Sequence, residues 1–200
     1  SSVTATSGAA IVDGVGNAVV TIDAGAVVTG SIALGDGSDT LNIAYGVSLA
    51  GVTALNGGSG VFVDTLNLNT GWSGALVDWE LININTSNGD FALGGIISGT
   101  GSLTKLGEGV LTLRRTNTFS GGLTISAGRL IGNISTLGSG AVVNNATLVL
   151  NQASDVSFNG TIAGTGLLIK QGAGTLTLNG ITPYGGGLII SAGTVSGAAN

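Results

Sequence analysis

The sequence predicts an all-β fold, a single-stranded parallel β-helix of roughly nine coils with three short strands in each. Three observations lead there. The stretch 99–130 reappears at 164–195, a displacement of 65 without a gap, with 17 of 32 positions identical. The stretch 39–43 (DTLNI) returns at 64–68 (DTLNL), an offset of 25. Apolar and polar residues alternate in runs of about 4–6 residues, the pattern of strands with one buried face. Self-similarity at a fixed period marks stacked units that bury their apolar faces between them.

The elements follow in chain order. Val19–Ile22, Thr40–Ile43 and Thr65–Leu68 alternate as strands and are bounded by turn clusters such as GDGSD, NGGSG, TGWSG and TSNGD. In the first long repeat Leu103, Leu111 and Leu123 are spaced by 8 and then by 12, so one circuit returns after 20. The spacing of 65 then divides into three coils of about 22 residues. The expected buried stack is Leu103, Leu111, Leu113, Leu123 and Ile125 in the first copy, and Leu168, Leu176, Leu178, Leu188 and Ile190 in the second. The repeat glycines are Gly99, Gly101, Gly107, Gly109, Gly121, Gly122 and Gly128, then Gly164, Gly166, Gly172, Gly174, Gly186, Gly187 and Gly193. They are expected at corners, where sharp bends call for positive φ. Proline, which cannot donate to a ladder, occurs once, at Pro183 in an expected loop.

Composition narrows the function classes. There are 38 glycines but no collagen period, and 43% apolar against 8% charged residues argues against disorder. Without Cys or His, disulfides, thiolate metal sites and the common catalytic triads are excluded. Polar residues interrupt every apolar run before it reaches a membrane-spanning length. The first residues lack the pattern of a signal peptide, so the chain reads as a mature piece of something longer. Residues 1–98 hold eight acids and no Lys or Arg, while residues 99–200 hold all five bases against Glu108 and Asp155. The chain is thus expected to divide into acidic coils over 1–98 and continuous, repeat-bearing coils over 99–200. A net charge of −5 makes nucleic acid an unsuitable partner.

The two copies resemble the passenger-associated repeat of bacterial type V autotransporters. Gly99, Gly101, Leu103, Thr104, Lys105, Gly107, Gly109, Leu111, Thr112, Leu113, Asn117, Phe119, Gly121 and Gly122 carry the likeness in the first copy, and Gly164, Gly166, Leu168, Lys170, Gly172, Gly174, Leu176, Thr177, Leu178, Tyr184, Gly186 and Gly187 in the second. Ile169 for the family's Thr and Arg115 for its Gly are departures. The resemblance implies a right-handed β-helix, secreted or displayed at the outer membrane of a Gram-negative bacterium. It also implies export through the protein's own C-terminal outer-membrane barrel, which lies outside these residues. The implied function is structural, supporting folding and translocation of the passenger. The alternative is an adhesin or self-association module that binds host surface, matrix or another copy. A polysaccharide-acting enzyme is a remote third, and no cofactor is expected.

Individual residues have sharper and plainer readings. Asp78 and Glu80 flank Trp79, and strand alternation puts both acids on one face about 7 Å apart, a spacing a glycosidase pair can use. Two solvated acids are the plainer reading. The stretch 35–41 (GDGSDTL) resembles one imperfect copy of a calcium-binding nonapeptide, or simply an Asp/Gly turn. Lys105 and Lys170 occupy the same repeat position and are expected as exposed residues on one face, about 14 Å apart if three coils separate them. Arg114, Arg115 and Arg129 form the basic cluster, either a phosphate contact or a solvated corner. Phe119 and Tyr184 share a position and are expected to anchor a loop; Trp72 is a candidate for stacking on sugar.

Overall fold

The computed structural model describes residues 2–180 and 183–197, the first nine of them as backbone alone. It is a β-solenoid in which every strand pair is parallel. One side is a continuous eight-stranded sheet: Val19–Ile22, Thr40–Ile43, Thr65–Leu68, Leu81–Asn85, Ser102–Leu106, Leu123–Ile125, Val142–Asn144 and Ile162–Ala163. Gly164 extends this ladder with an isolated bridge to Tyr184, giving about nine turns.

The second side is a six-stranded sheet of Phe91–Leu93, Val110–Leu113, Arg129–Gly132, Thr147–Asn151, Leu167–Gln171 and Leu188–Ile190. Before residue 91 it is held by the bridges Val27↔Ser48 and Trp72↔Leu93. The third side begins as a four-stranded sheet (Ser2–Val12, Val27–Ala33, Ala54–Asn56, Ala75–Val77) and ends as a three-stranded one (Val156–Phe158, Thr175–Leu178, Thr194–Gly197). Between them single contacts carry it: the Leu76↔Ile97 bridge, Thr118 N–H to Ile97 O, and Ser139 N–H to Phe119 O. A 3₁₀ turn at Ile134–Thr136 occupies part of that stretch.

The expected offsets are the observed registers. Thr40 pairs with Thr65, Leu41 with Leu66 and Asn42 with Asn67, which is the offset of 25. Leu103 pairs with Leu123, the offset of 20. The next rung after Thr65 is Leu81, an offset of only 16. The difference is shared by two connections: residues 57–64 lead from the third side to the long sheet in one coil where residues 78–80 do so in the next, and residues 44–53 lead from the long sheet to the third side where residues 69–74 do so in the next.

Inward residues form columns, because each strand lies on its counterpart one coil away, about 4.8 Å off. One column runs Leu41, Leu66, Ile82, Leu103, Leu123, Val142, Ile162, all at most 1% exposed. The next inward column runs Ile43, Leu68, Ile84, Lys105, Ile125, Asn144. On the outward face of the same sheet an amide ladder runs along the axis: Asn83 Nδ2 donates to Asn67 Oδ1 (2.9 Å), Asn67 Nδ2 to Asn42 Oδ1 (2.8 Å), and Asn42 Nδ2 to Thr21 Oγ1 (3.4 Å).

Asp78-Trp79-Glu80 is not a strand. It is the three-residue corner before Leu81, with Asp78 exposed at φ 53° and Trp79 fully buried. A corner that short leaves the indole nowhere but the interior, and its Nε1–H donates to Leu55 O at 3.0 Å. The alternation that would have put Asp78 and Glu80 on one strand face therefore does not hold. Trp72 is only 8% exposed, folded beneath Gly74, and offers no stacking face to a sugar.

Candidate functional site

The two long repeats are the candidate site, and each is a clip that pairs with itself. In the first, Leu103 stacks on Leu123 and Leu111 on Leu130. In the second, Leu168 stacks on Leu188 and Leu176 on Val195. Leu103, Leu111, Leu123, Ile125, Leu168 and Leu176 are at most 2% exposed and Leu113 is 4%. Leu178 is half-buried. Leu188 and Ile190, expected inside, are 46% and 49% exposed. Among the described residues their strand is the outer one of its sheet and is paired on one side only.

The lysines overturn their expectation in two ways. Lys105 and Lys170 are each 0% exposed and point inward. Lys105 replaces an apolar rung between Ile84 and Ile125, and Lys170 does so between Leu150 and Ile190. Each side chain runs along the core and turns its ammonium into the carbonyls at the strand's exit. Lys105 Nζ donates to Leu106 O (3.0 Å), Gly107 O (2.6 Å) and Ala127 O (3.0 Å). Lys170 Nζ lies within hydrogen-bond distance of four carbonyls that share its three protons: Gln171 O (2.9 Å), Gly172 O (2.7 Å), Ala192 O (3.2 Å) and Gln152 O (3.4 Å). An ammonium has three protons and no acceptor, so a cluster of corner carbonyls suits it; Leu106 O and Gln171 O also accept from Thr86 N–H and Gln152 N–H of the neighbouring coil. Burial lowers the Lys105 ammonium to about 8, opposed by the nearby carboxylates of Glu108 and Asp90.

Nor do the two lysines share a face. Lys105 lies on the long sheet and Lys170 on the second side. Three coils carry Leu103 to Ile162, an offset of 59, so a spacing of 65 overshoots by one side of the coil. The second repeat is the first one turned about the axis. The turn keeps the angles of three glycine positions: φ is 110° and 109° at Gly99 and Gly164, 75° and 80° at Gly107 and Gly172, and 66° and 72° at Gly128 and Gly193, whereas Gly122 at 103° has a counterpart, Gly187, without positive φ. Gly107 and Gly172 supply the carbonyls nearest the ammonium. Gly128 and Gly193 lie directly on the carbonyls of that corner one coil earlier, where any Cβ would collide with backbone. The other repeat glycines sit in similar contact. A Cβ on Gly101, Gly109, Gly121, Gly166, Gly174 or Gly186 would also run into backbone of the coil before it, and Gly122 and Gly187 have looser surroundings.

The shared aromatic position is also filled from inside. Phe119 is fully buried, packed under Gly138, and the half-buried Tyr184 donates its hydroxyl to Gly187 O at 2.8 Å and contacts Gly166 O. Asn117 bridges two coils, accepting from Ile97 N–H (2.9 Å) and donating to Thr136 O (2.7 Å). Its counterpart Thr182 lies outside the described residues. Arg114 and Arg115 stand exposed at a corner, and Arg129 is half-buried at a strand start.

The acids form a second system that motif reading missed. Ala18 N–H donates to Asp39 Oδ1 (2.8 Å), Asp39 N–H to Asp64 Oδ1 (2.8 Å), and Asp64 N–H to Glu80 Oε2 (2.9 Å). Each acid stands just before a long-sheet strand and caps the entrance of the strand one coil earlier. Asp90 does the same for Val110 N–H (2.8 Å) and Asp155 for Thr175 N–H (2.6 Å), each one coil later. Burial raises the Asp64 pKa; the hydrogen bond from Asp39 lowers it, and the charges of Glu80 and Asp39 raise it further. Asp39, the second acid of the GDGSD stretch, is thereby committed to backbone. Among the described residues no group of three or more acids is placed to hold a metal ion.

Comparison with known proteins agrees with this geometry. The family model of the passenger-associated-transport-repeat matches residues 103–131 and 168–196. The adhesin BmaC autotransporter of Brucella suis biovar 1 (strain 1330) is 38% identical over 89 residues, which are 44% of this chain and 2% of that protein. No solved structure matches. The chain thus carries two passenger-associated transport repeats, and both matches support its reading as autotransporter passenger sequence in the form of a β-solenoid.

Proposed function

We propose that this chain is a structural passenger segment whose repeats support folding, and through it translocation, of a secreted or surface-displayed autotransporter. Similarity to an autotransporter adhesin supports a surface passenger role of a non-enzymatic kind. The observation that carries the finer reading is that each repeat pairs with itself one coil on and ties both coils together through one buried ammonium. Contacts about 20 residues apart close with little loop entropy, so such a clip can form early and offer its edges as templates for the coils beside it. Outside the cell no nucleotide hydrolysis is at hand, and folding itself can bias the direction of transport. The protein's own outer-membrane barrel is the partner this role requires.

Removing residues 99–200 from the full-length protein tests it. Loss of surface display, with the remaining passenger becoming protease-sensitive, is the expected result. Normal display of a protease-resistant passenger would overturn the folding role and leave a binding module as the second reading. That second reading is favoured by one observation, the exposed apolar loop at residues 61–63 in the acidic half.

A further inference from the structure

We infer that the corner at residues 57–64 is a docking surface for a basic polypeptide segment that carries an apolar pocket or face. The inference goes beyond the folding role and does not depend on it. Val61, Phe62 and Val63 are 94%, 44% and 51% exposed, on a chain that elsewhere turns its large apolar residues inward along most of its length. Adjacent exposed apolar residues on a loop mark an interaction site more often than isolated ones do. This loop contributes part of the extra length of its coil, whose offset is 25.

The loop is held rather than loose. Gly57 N–H donates to Val77 O (3.1 Å), Gly58 N–H to Asn56 Oδ1 (2.8 Å), and Val63 N–H to Ser38 Oγ (3.2 Å). Gly58, at φ +131°, lies against Gly35 of the coil before, where only hydrogen fits. The tip is therefore presented from a fixed base, which lowers the ordering cost of binding.

Carboxylates flank the base on both sides. A cleft of about 220 Å³ beside residues 58–60 is lined by Asp64, Asp78 and Glu80, and a neighbouring one of about 210 Å³ by Asp36 and Asp78. Residues 1–98 contain no Lys or Arg to neutralise them. An apolar tip inside an anionic field selects a partner with Lys or Arg around an apolar patch, and repels phosphates and anionic lipid.

The test uses the 200-residue chain and three designed helical peptides of one pattern: Lys/Leu, Glu/Leu and Lys/Ser. The Lys/Leu peptide should bind, with the other two weaker by about tenfold or more. Val61→Ser with Phe62→Ser, and separately Asp36→Asn with Asp78→Asn, should each weaken Lys/Leu binding about tenfold, the size of losing an interface anchor. Both substitute exposed or cleft-lining side chains, and unchanged circular dichroism verifies the fold. Equal binding of Lys/Ser would reduce the effect to charge alone and overturn the inference. So would equal binding of Glu/Leu, unaltered binding by both variants, or no Lys/Leu binding at about 1 mM. Self-association by sedimentation that disappears in the loop variant would assign the surface to a second copy and overturn it as well.

Discussion

The acidic coils and the repeat-bearing coils meet the same difficulty with different sets of charges. A solenoid pairs its strands with neighbours above and below, but the peptide groups at the corners fall outside those ladders. Buried backbone groups must still be satisfied. In the first half, the exposed need is at strand entrances, and Asp39, Asp64 and Glu80 accept the N–H groups there. In the repeats the exits are met as well, where Lys105 and Lys170 donate to the carbonyls, while Asp90 and Asp155 still cap the entrances at Val110 and Thr175. Asp39, Asp64, Glu80 and Asp90 among the acids of residues 1–98, and Lys105 and Lys170 among the bases of residues 99–200, are spent on such caps. The coils differ in regularity as well. From Leu81 onward, successive rungs of the long sheet are offset by 19 to 21. In the first half, a coil with an offset of 25 adjoins one with an offset of 16.

The comparison can be broken most severely at the stacked leucines. Leu111→Ala empties a fully buried rung of the first repeat and should cost about 2–5 kcal/mol in urea unfolding; a loss below about 1 kcal/mol would mean that the repeat is not the stable part. Next comes Lys105→Met, which keeps the volume, strands Ala127 O and takes the ammonium from Leu106 O and Gly107 O, to which Thr86 also donates. We expect a loss of about 1–3 kcal/mol, the desolvation cost of unsatisfied buried groups. The same residue has a pH signature. With its folded value at about 8 against 10.5 for the free side chain, the unfolded chain holds more protons between those limits. Stability should therefore rise with pH across that window, and the rise should flatten in Lys105→Met.

A smaller effect is expected in the acidic half. Asn67→Ala interrupts the amide ladder at its middle and should cost about 0.5–1.5 kcal/mol by chemical denaturation, through the loss of two partly buried hydrogen bonds. Smallest per residue is the contribution of like-charge repulsion, which salt screens. Hydrogen exchange at low salt should show residues 99–180 better protected than residues 11–98, with the gap narrowing as salt is added. Slower exchange before residue 98 at low salt would reverse the assignment of the folding seed.

Much of the fold was legible because a solenoid writes its register into the sequence. The return distances of 20 and 25 are the pairings Leu103↔Leu123 and Thr40↔Thr65 themselves. The lysines were misread although the signal was present. In Ser102–Leu106 strict alternation puts Lys105 on the same face as Leu103, and only the habit of keeping charge outside argued otherwise. The rotation was also visible, since a circuit of 20 does not divide 65. The acid caps were harder. Asp39, Asp64 and Glu80 all stand just before a strand, but their spacings of 25 and 16 hide the relation until the corner lengths are known. The change of sheets falls between Ala75–Val77 and Phe91–Leu93, ahead of the step in charge at residue 98, because ladder pairing and charge respond to different constraints.

The one-side rotation between the two repeats has a consequence for how such a rod meets its surroundings. A repeat whose glycine angles survive the turn at three positions needs no particular azimuth. Duplicates at this spacing would point their outer surfaces a third of a revolution apart and return to the starting direction after every three copies. Anything that touches the rod along a straight line, whether a wall, a neighbouring fibre or a pore lining, would then encounter a given repeat surface only at long intervals. What is common to all copies is kept in the interior, where direction has no meaning, and each flank is left free to differ.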